Sequence, residues 1–214
     1  PPLEEREGLS VRTVRYLHSI LTQALEKAVD LEYIHKNPCA KITPPTDKRR
    51  PEEKIVCLDA EQLAEFLSKA EGYQDYALIY TAAYTGMRQS ELLALTWDNV
   101  LWKESAIRVV RAVNLLESGE FDDGRTKNET STRVIDITSR TLKVLKEHQK
   151  AQREDFMKRG VRNNLNLVFP DKNGNYINRK NLAGRFRNLA DKNKFYNFTF
   201  KGLRHTHATI LLSA

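Results

Sequence analysis

Lys201 and Arg204 stand three residues apart at the mouth of an apolar helical stretch, Phe198-Thr-Phe-Lys201-Gly-Leu-Arg204-His205-Thr206-His207-Ala-Thr-Ile-Leu-Leu. That spacing places both cations on one helical face. Two fixed donors converging there suit a phosphate oxygen. A second basic position lies in Thr85-Gly-Met-Arg88-Gln-Ser-Glu91-Leu-Leu-Ala-Leu-Thr-Trp97. Gly86 lets the backbone turn sharply into a helix, which puts Arg88 in the first turn, where the helix dipole disfavours a cation. A cation placed against that preference implies an anion nearby. Glu91, three residues on, can hold the guanidinium, although the same spacing also fits a plain surface ion pair. A third basic cluster runs from Gly124 to Arg133 and contains Lys127. A lysine on a hairpin can reach and protonate a leaving oxygen, and the cluster also fits a charged β-turn.

Arginines and lysines without metal ligands suit phosphoryl transfer. The non-bridging oxygens need charge stabilisation and the leaving group needs a proton. Arginine supplies the first without deprotonating, and lysine can supply the second. No Cys or carboxylate cluster joins the five histidines to complete a metal site, so a metal-dependent nuclease is disfavoured. Cys39 and Cys57 form no CxxC pair and fit a reducing compartment.

The elements that must position these residues are mostly helical. Val11 to Asp30 reads as an amphipathic helix capped by Ser10, with Val14, Leu17, Leu21, Leu25 and Ala28 at helical spacing. Arg12 and Arg15 lie off that stripe. Asn37-Pro38 interrupts regular structure beyond this helix. Asp59 opens a helix with Gln62 at the capping-box position, and Leu58 and Leu63 can staple its start. A helix from about Asp75 to Tyr84 breaks at Thr85-Gly86, and another runs through Glu91 to Leu95. Ala106 to Val113 and Thr132 to Ile137 read as strands, with turn signals at Ser118-Gly119 and Asp123-Gly124. Thr138 or Ser139 caps a long helix with Leu142, Leu145, Gln149 and Phe156 on one side. Leu167-Val168-Phe169 reads as a short strand. Asn178 caps a helix that turns Leu182, Phe186 and Leu189 inward, and the last helix begins between Thr199 and Leu203. The fold class is therefore mainly α with a small antiparallel β-sheet.

Pro44, Pro45 and Pro51 flank Lys48-Arg49-Arg50, a stiff and solvated linker whose cations fit either a loop or a DNA contact. The 214 residues carry a formal charge of +7 and a pI near 9.4. This balance favours a polyanion partner. No apolar run approaches the ~20 residues a membrane span requires.

The Thr85–Trp97 stretch, then Thr126-Lys127 six residues before Arg133, then Lys201-Gly-Leu-Arg204-His205-Thr206-His207-Ala208-Thr209, resembles the tyrosine recombinase (phage integrase) family, of the phage or conjugative-transposon type. The resemblance covers nearly the whole chain. It implies the last helices of a core-binding domain over residues 1–43, a linker over 44–57 and a catalytic domain over 58–214. It implies that Arg88 and Arg204 hold the scissile phosphate, with Glu91 in support, and that Lys127 is the general acid for the 5′-hydroxyl. Lys201 stands where most members have His. A lysine can donate to phosphate but, with an unperturbed pKa of ~10.4, is a poor base at neutral pH.

The resemblance further implies cleavage through a 3′-phosphotyrosine link without metal or nucleotide cofactor. It also implies double-stranded DNA as partner, a tetramer assembled on DNA, and a cytoplasmic protein encoded by a bacterium, phage or mobile element. Arg12, Arg15, Lys48, Arg49 and Arg50 are candidate DNA contacts. The family's nucleophilic Tyr follows the last arginine by a few dozen residues. The ten residues after Arg204 contain no Tyr or Trp, so the chain reads as truncated at both ends. DNA binding without a covalent adduct is expected of it. The rival reading is a non-catalytic DNA-binding remnant or regulator.

Overall fold

A computed structural model describes residues 8–46, 55–115, 121–122 and 132–213. The chain divides into two compact units, Pro1–Lys54 and Ile55–Ala214.

In the first unit, α1 spans Val11–Asp30, and the Ser10 side chain accepts from the Thr13 N–H as N-cap. None of its residues is buried. Among the described residues of this unit no second helix packs on its apolar stripe, and Leu17, Ile20 and Leu21 are about half exposed. Asn37 ties the returning chain to the helix, donating from Nδ2 to the Thr22 carbonyl at 3.0 Å and to Glu26 Oε2 at 2.6 Å. Arg12 and Arg15 are both exposed on α1.

The second unit begins with α2 (Ala60–Ala70), closed by the expected capping box between Asp59 and Gln62. Leu58 and Leu63 are both buried at its start. Next come α3 (Tyr76–Thr85), almost wholly buried, and the single-turn α4 (Gln89–Leu93). A three-stranded antiparallel sheet has the order β1 (Val100–Leu101), β2 (Ala106–Val109) and β5 (Arg133–Asp136). A separate pair joins β3 (Asn114–Leu115) to β4 (Phe121–Asp122). The helices α5 (Ser139–Arg159), α6 (Arg179–Lys192) and α7 (Phe200–Ser213) complete the unit. Around Phe66, the rings of Phe186, Phe195 and Phe198 gather at 5.2–5.5 Å between centroids. Tilted and edge-on aromatic packing of this kind adds to the burial of the rings. The core thereby joins α2, α6 and the segment that leads into α7. Tyr76, Tyr80 and Tyr84 pack ring to ring along α3, with Tyr80 buried.

Three local expectations change. First, β2 ends at Val109 rather than Val113, because the Val113 N–H leaves the ladder and donates to the Ser90 carbonyl on α4. Second, Leu167-Val168-Phe169 is buried but makes only an isolated bridge between Leu167 and Thr96. Its backbone bonds go instead to Leu95 and to the side chains of Asn163, His148 and Gln152. Third, the inner face of α5 carries His148 and Gln152 beside Val144, Leu145 and Phe156. Buried carbonyls need partners, so these polar residues sit where the stripe alone would place apolar ones.

Candidate functional site

Gly86 is the pivot of the site. It caps α3 in the left-handed region with φ 58°, a conformation glycine adopts without penalty. A Cβ there would lie 2.5 Å from His207 Cδ2, so the close approach of α7 also requires glycine. The His207 ring is oriented by its Nδ1, 3.0 Å from the Ala83 carbonyl oxygen. A carbonyl only accepts, so Nδ1 carries the proton. Arg204 Nη1 donates to the Gly86 carbonyl at 2.5 Å. One turn of α7 is thus fastened to the end of α3. Gly202 permits a second close approach, since a Cβ there would meet Phe198 and the Val56 carbonyl at 2.9 Å.

Arg88 is the N-cap of α4, and Glu91 occupies the third helical position. Glu91 Oε2 accepts from the Arg88 backbone N–H at 2.8 Å and Oε1 from Arg88 Nη1 at 3.0 Å. The cation that the helix dipole disfavours is therefore held by a carboxylate rather than left to repel the free N–H groups. The Glu91 side chain is only 6 % exposed, whereas that of Arg88 is 62 % exposed. The guanidinium is tethered at one nitrogen while most of it faces solvent.

Arg133, which the sequence marks only as the far end of a basic cluster, proves to be part of the same group. From the first residue of β5 it takes both oxygens of Glu91, with Nη1 at 3.0 Å from Oε1 and Nη2 at 2.7 Å from Oε2. No spacing rule could find this pair, because 42 residues separate its members and only the sheet brings them together. Burial would raise the Glu91 carboxyl, but the hydrogen bonds from Arg133 and from the Arg88 backbone and side chain outweigh it and hold the group at about 2. Burial lowers the Arg204 pKa, and the neighbouring Arg88 and Arg133 lower it further against the pull of Glu91. Two guanidiniums thus bond one carboxylate and a third, that of Arg204, feels its charge, leaving an excess of positive charge.

A cavity of about 260 Å³ opens beside this group, lined by Thr85, Gly86, Arg133, Ile135, Arg204, His207 and Ala208. Lys201 is exposed on the first turn of α7 and is not part of that lining. Lys127, Lys48, Arg49 and Arg50 lie outside the described residues. Among the described residues, no cluster of three or more metal-ligating side chains occurs, and no helix is long and apolar enough to cross a membrane.

The profile of the phage integrase family matches residues 57–214. The chain belongs to that family. Its similarity to a XerC-like tyrosine recombinase of Caldanaerobacter subterraneus subsp. tengcongensis is 29 % identity over 96 % of this chain and 56 % of the relative. With an integrase of Streptomyces ambofaciens it is 30 % over 96 % and 54 %, and with the ICEBs1 integrase of Bacillus subtilis 28 % over 96 % and 55 %. The chain thus spans about half the length of the curated relatives it matches. Among solved structures, the Tn1549 transposon integrase in complex with circular-intermediate DNA superposes with a TM-score of 0.78 at 23 % identity, over 97 % of this chain and 68 % of that one. The XerH recombinase bound to its difH substrate gives 0.64 at 19 % identity, over 97 % and 56 %. These likenesses establish the tyrosine recombinase fold, mainly helical with its small antiparallel sheet.

Proposed function

We propose that residues 55–214 carry the phosphate clamp of a site-specific DNA integrase that cuts and rejoins strands through a 3′-phosphotyrosine link. The observation that carries this reading is the convergence of Arg88 and Arg204, distant along the chain, on either side of Gly86. One is anchored to Glu91 and the other to the Gly86 carbonyl. Preorganised guanidiniums stabilise charge that develops on phosphate oxygens and cost no reorganisation during the reaction. Arg88 and Arg204 hold the scissile phosphate, and Glu91 fixes Arg88. Lys127 donates the proton to the 5′-hydroxyl leaving group, and Lys201 donates to the phosphate from the first turn of α7.

The partner is double-stranded DNA, with tetrameric assembly on it. Solved relatives at low identity include recombinases bound to DNA and a lambda integrase tetramer on a Holliday junction. Residues 1–43 act as the end of a core-binding domain, 44–57 as linker and 58–214 as catalytic domain, with Arg12, Arg15, Lys48, Arg49 and Arg50 contacting the DNA backbone. A surface that only bound DNA would need exposed cations. It would not need a buried carboxylate saturated by two of them, and this favours the catalytic reading over a DNA-binding remnant.

No Tyr follows Arg204 within these residues, so the 214-residue chain by itself binds DNA without forming a covalent adduct. Denaturing gels of the chain incubated with a suicide substrate test this directly, and a covalent band would refute it. In a protein that also carries the tyrosine segment, Arg88→Ala should abolish cleavage of the same substrate. Unchanged cleavage would remove the clamp assignment.

A further inference from the structure

Glu91 receives four hydrogen bonds, two from Arg88 and two from Arg133. Each oxygen therefore has one donor from either side. The Arg88 share includes only one guanidinium nitrogen, whereas Arg133 presents two nitrogens in the planar, paired arrangement that matches a carboxylate. The carboxylate is buried, and Arg133 comes to it from a different element, β5, through the antiparallel pairing of Val109 with Arg133. A buried carboxylate that loses half its donors must recruit others or take up a proton. Arg88 already bonds Glu91 through one guanidinium nitrogen, and the rest of its exposed guanidinium has further donors to offer.

We infer that Arg133 is a positioning residue for the phosphate clamp. By saturating Glu91, it leaves the Arg88 guanidinium turned outward toward a phosphate instead of drawn in as a second bidentate partner. The inference rests on the reading of Arg88 and Arg204 as that clamp. It assigns a part to the strand that leads away from the Lys127 segment. Register slippage between β2 and β5 would disarm the site even with every clamp residue present.

The test is a titration of the 214-residue chain with inorganic phosphate, monitored by NMR through the Nε–H signals of Arg88 and Arg204, with thermal unfolding measured in parallel. The parent should show both signals moving together with one affinity. Arg133→Ala should weaken phosphate about tenfold, the scale of one charge-assisted hydrogen bond. Arg133→Lys, which keeps the charge but not the fork, should fall between. Adding Glu91→Gln to Arg133→Ala should recover most of the loss, because no buried charge then remains to draw Arg88 inward.

Parent-like affinity in Arg133→Ala, while Arg88→Ala binds weakly, would overturn the inference alone. A double variant no better than Arg133→Ala would also overturn it, since Arg133 would then act by touching phosphate itself. If Arg88→Ala binds as well as the parent, the clamp reading falls and the inference with it. Should Arg133→Ala unfold, Arg133→Lys decides. An affinity equal to the parent's would refute the positioning role.

Discussion

Arg204 donates from Nη1 to the carbonyl oxygen of Gly86 at 2.5 Å, across 118 residues of chain. The bond joins α7 to the turn that precedes Arg88. The two arginines proposed to hold the phosphate are therefore both tied to one glycine, Arg204 through its carbonyl and Arg88 by following it two residues on.

Replacing Arg204 by Lys should not restore the site. A lysine is a point donor on a flexible stem and cannot serve both the carbonyl and a phosphate in fixed directions. Arg204→Lys and Arg204→Ala should each weaken inorganic phosphate at least tenfold, with Lys recovering less than half of the loss in free energy. Isothermal titration alongside NMR would measure both.

Gly86→Ala carries two penalties, a left-handed φ of 58° and a Cβ 2.5 Å from the His207 ring. Together they should cost about 2 kcal/mol or more of folding stability. Urea denaturation should show the loss as a lower midpoint at unchanged slope. Gly184, where a Cβ meets nothing within 4 Å, is the control: Gly184→Ala should leave stability unchanged or raise it.

Glu91 links the site to acid stability. Its folded pKa of about 2 lies below its ordinary 4.5. The stabilisation is therefore complete above about pH 4.5 and is lost as pH falls toward 2. Glu91→Gln should be less stable than the parent at neutral pH, and the gap should narrow between pH 4.5 and 2. A gap that stays constant over that window would contradict the bonding described for Glu91.

The pair between Asp75 and Arg185 should matter for stability and not for phosphate. Arg185 Nε and Nη2 meet the two Asp75 oxygens at 2.7 and 2.9 Å, tying the start of α3 to α6. The Asp75 side chain is 9 % exposed and that of Arg185 is 32 % exposed. Arg185→Met strands a buried charge and should cost about 2 kcal/mol, less than a fully buried pair. Asp75→Asn/Arg185→Met should be less damaging than the sum of the singles in a double-mutant cycle.

Arg12 and Arg15 are exposed on α1 of the first unit. If both neutralise phosphates, Arg12→Ala/Arg15→Ala should flatten the dependence of log affinity on log salt by about 2. Fluorescence anisotropy with duplex DNA at several salt concentrations would read it.

Much of the fold is local, and hence legible in order along the chain. The Ser10, Asp59, Thr138 and Asn178 caps each satisfy a backbone donor within three residues. The apolar spacing of Leu182, Phe186 and Leu189 places them inward because a helix repeats every 3.6 residues. Where backbone bonds are met by distant side chains, local patterning carries no signal. His148 and Gln152 occupy an inner face in order to satisfy the Val168 carbonyl, which no pattern in α5 discloses.

The kinds of groups available are legible along the chain: arginines at 88 and 204, a glutamate one turn from the first, and a glycine suited to the left-handed turn between α3 and α4. Local geometry suffices for these, since an i to i+3 pair or a left-handed turn involves only neighbouring residues. Which cations share a carboxylate depends instead on contacts between elements far apart in the chain. Arg133 reaches Glu91 through strand pairing, and Arg204 reaches Gly86 through the packing of α7 on α3. Both depend on long-range burial of apolar surface that holds these elements at fixed distances, and burial of that kind leaves no mark at any single spacing in the chain.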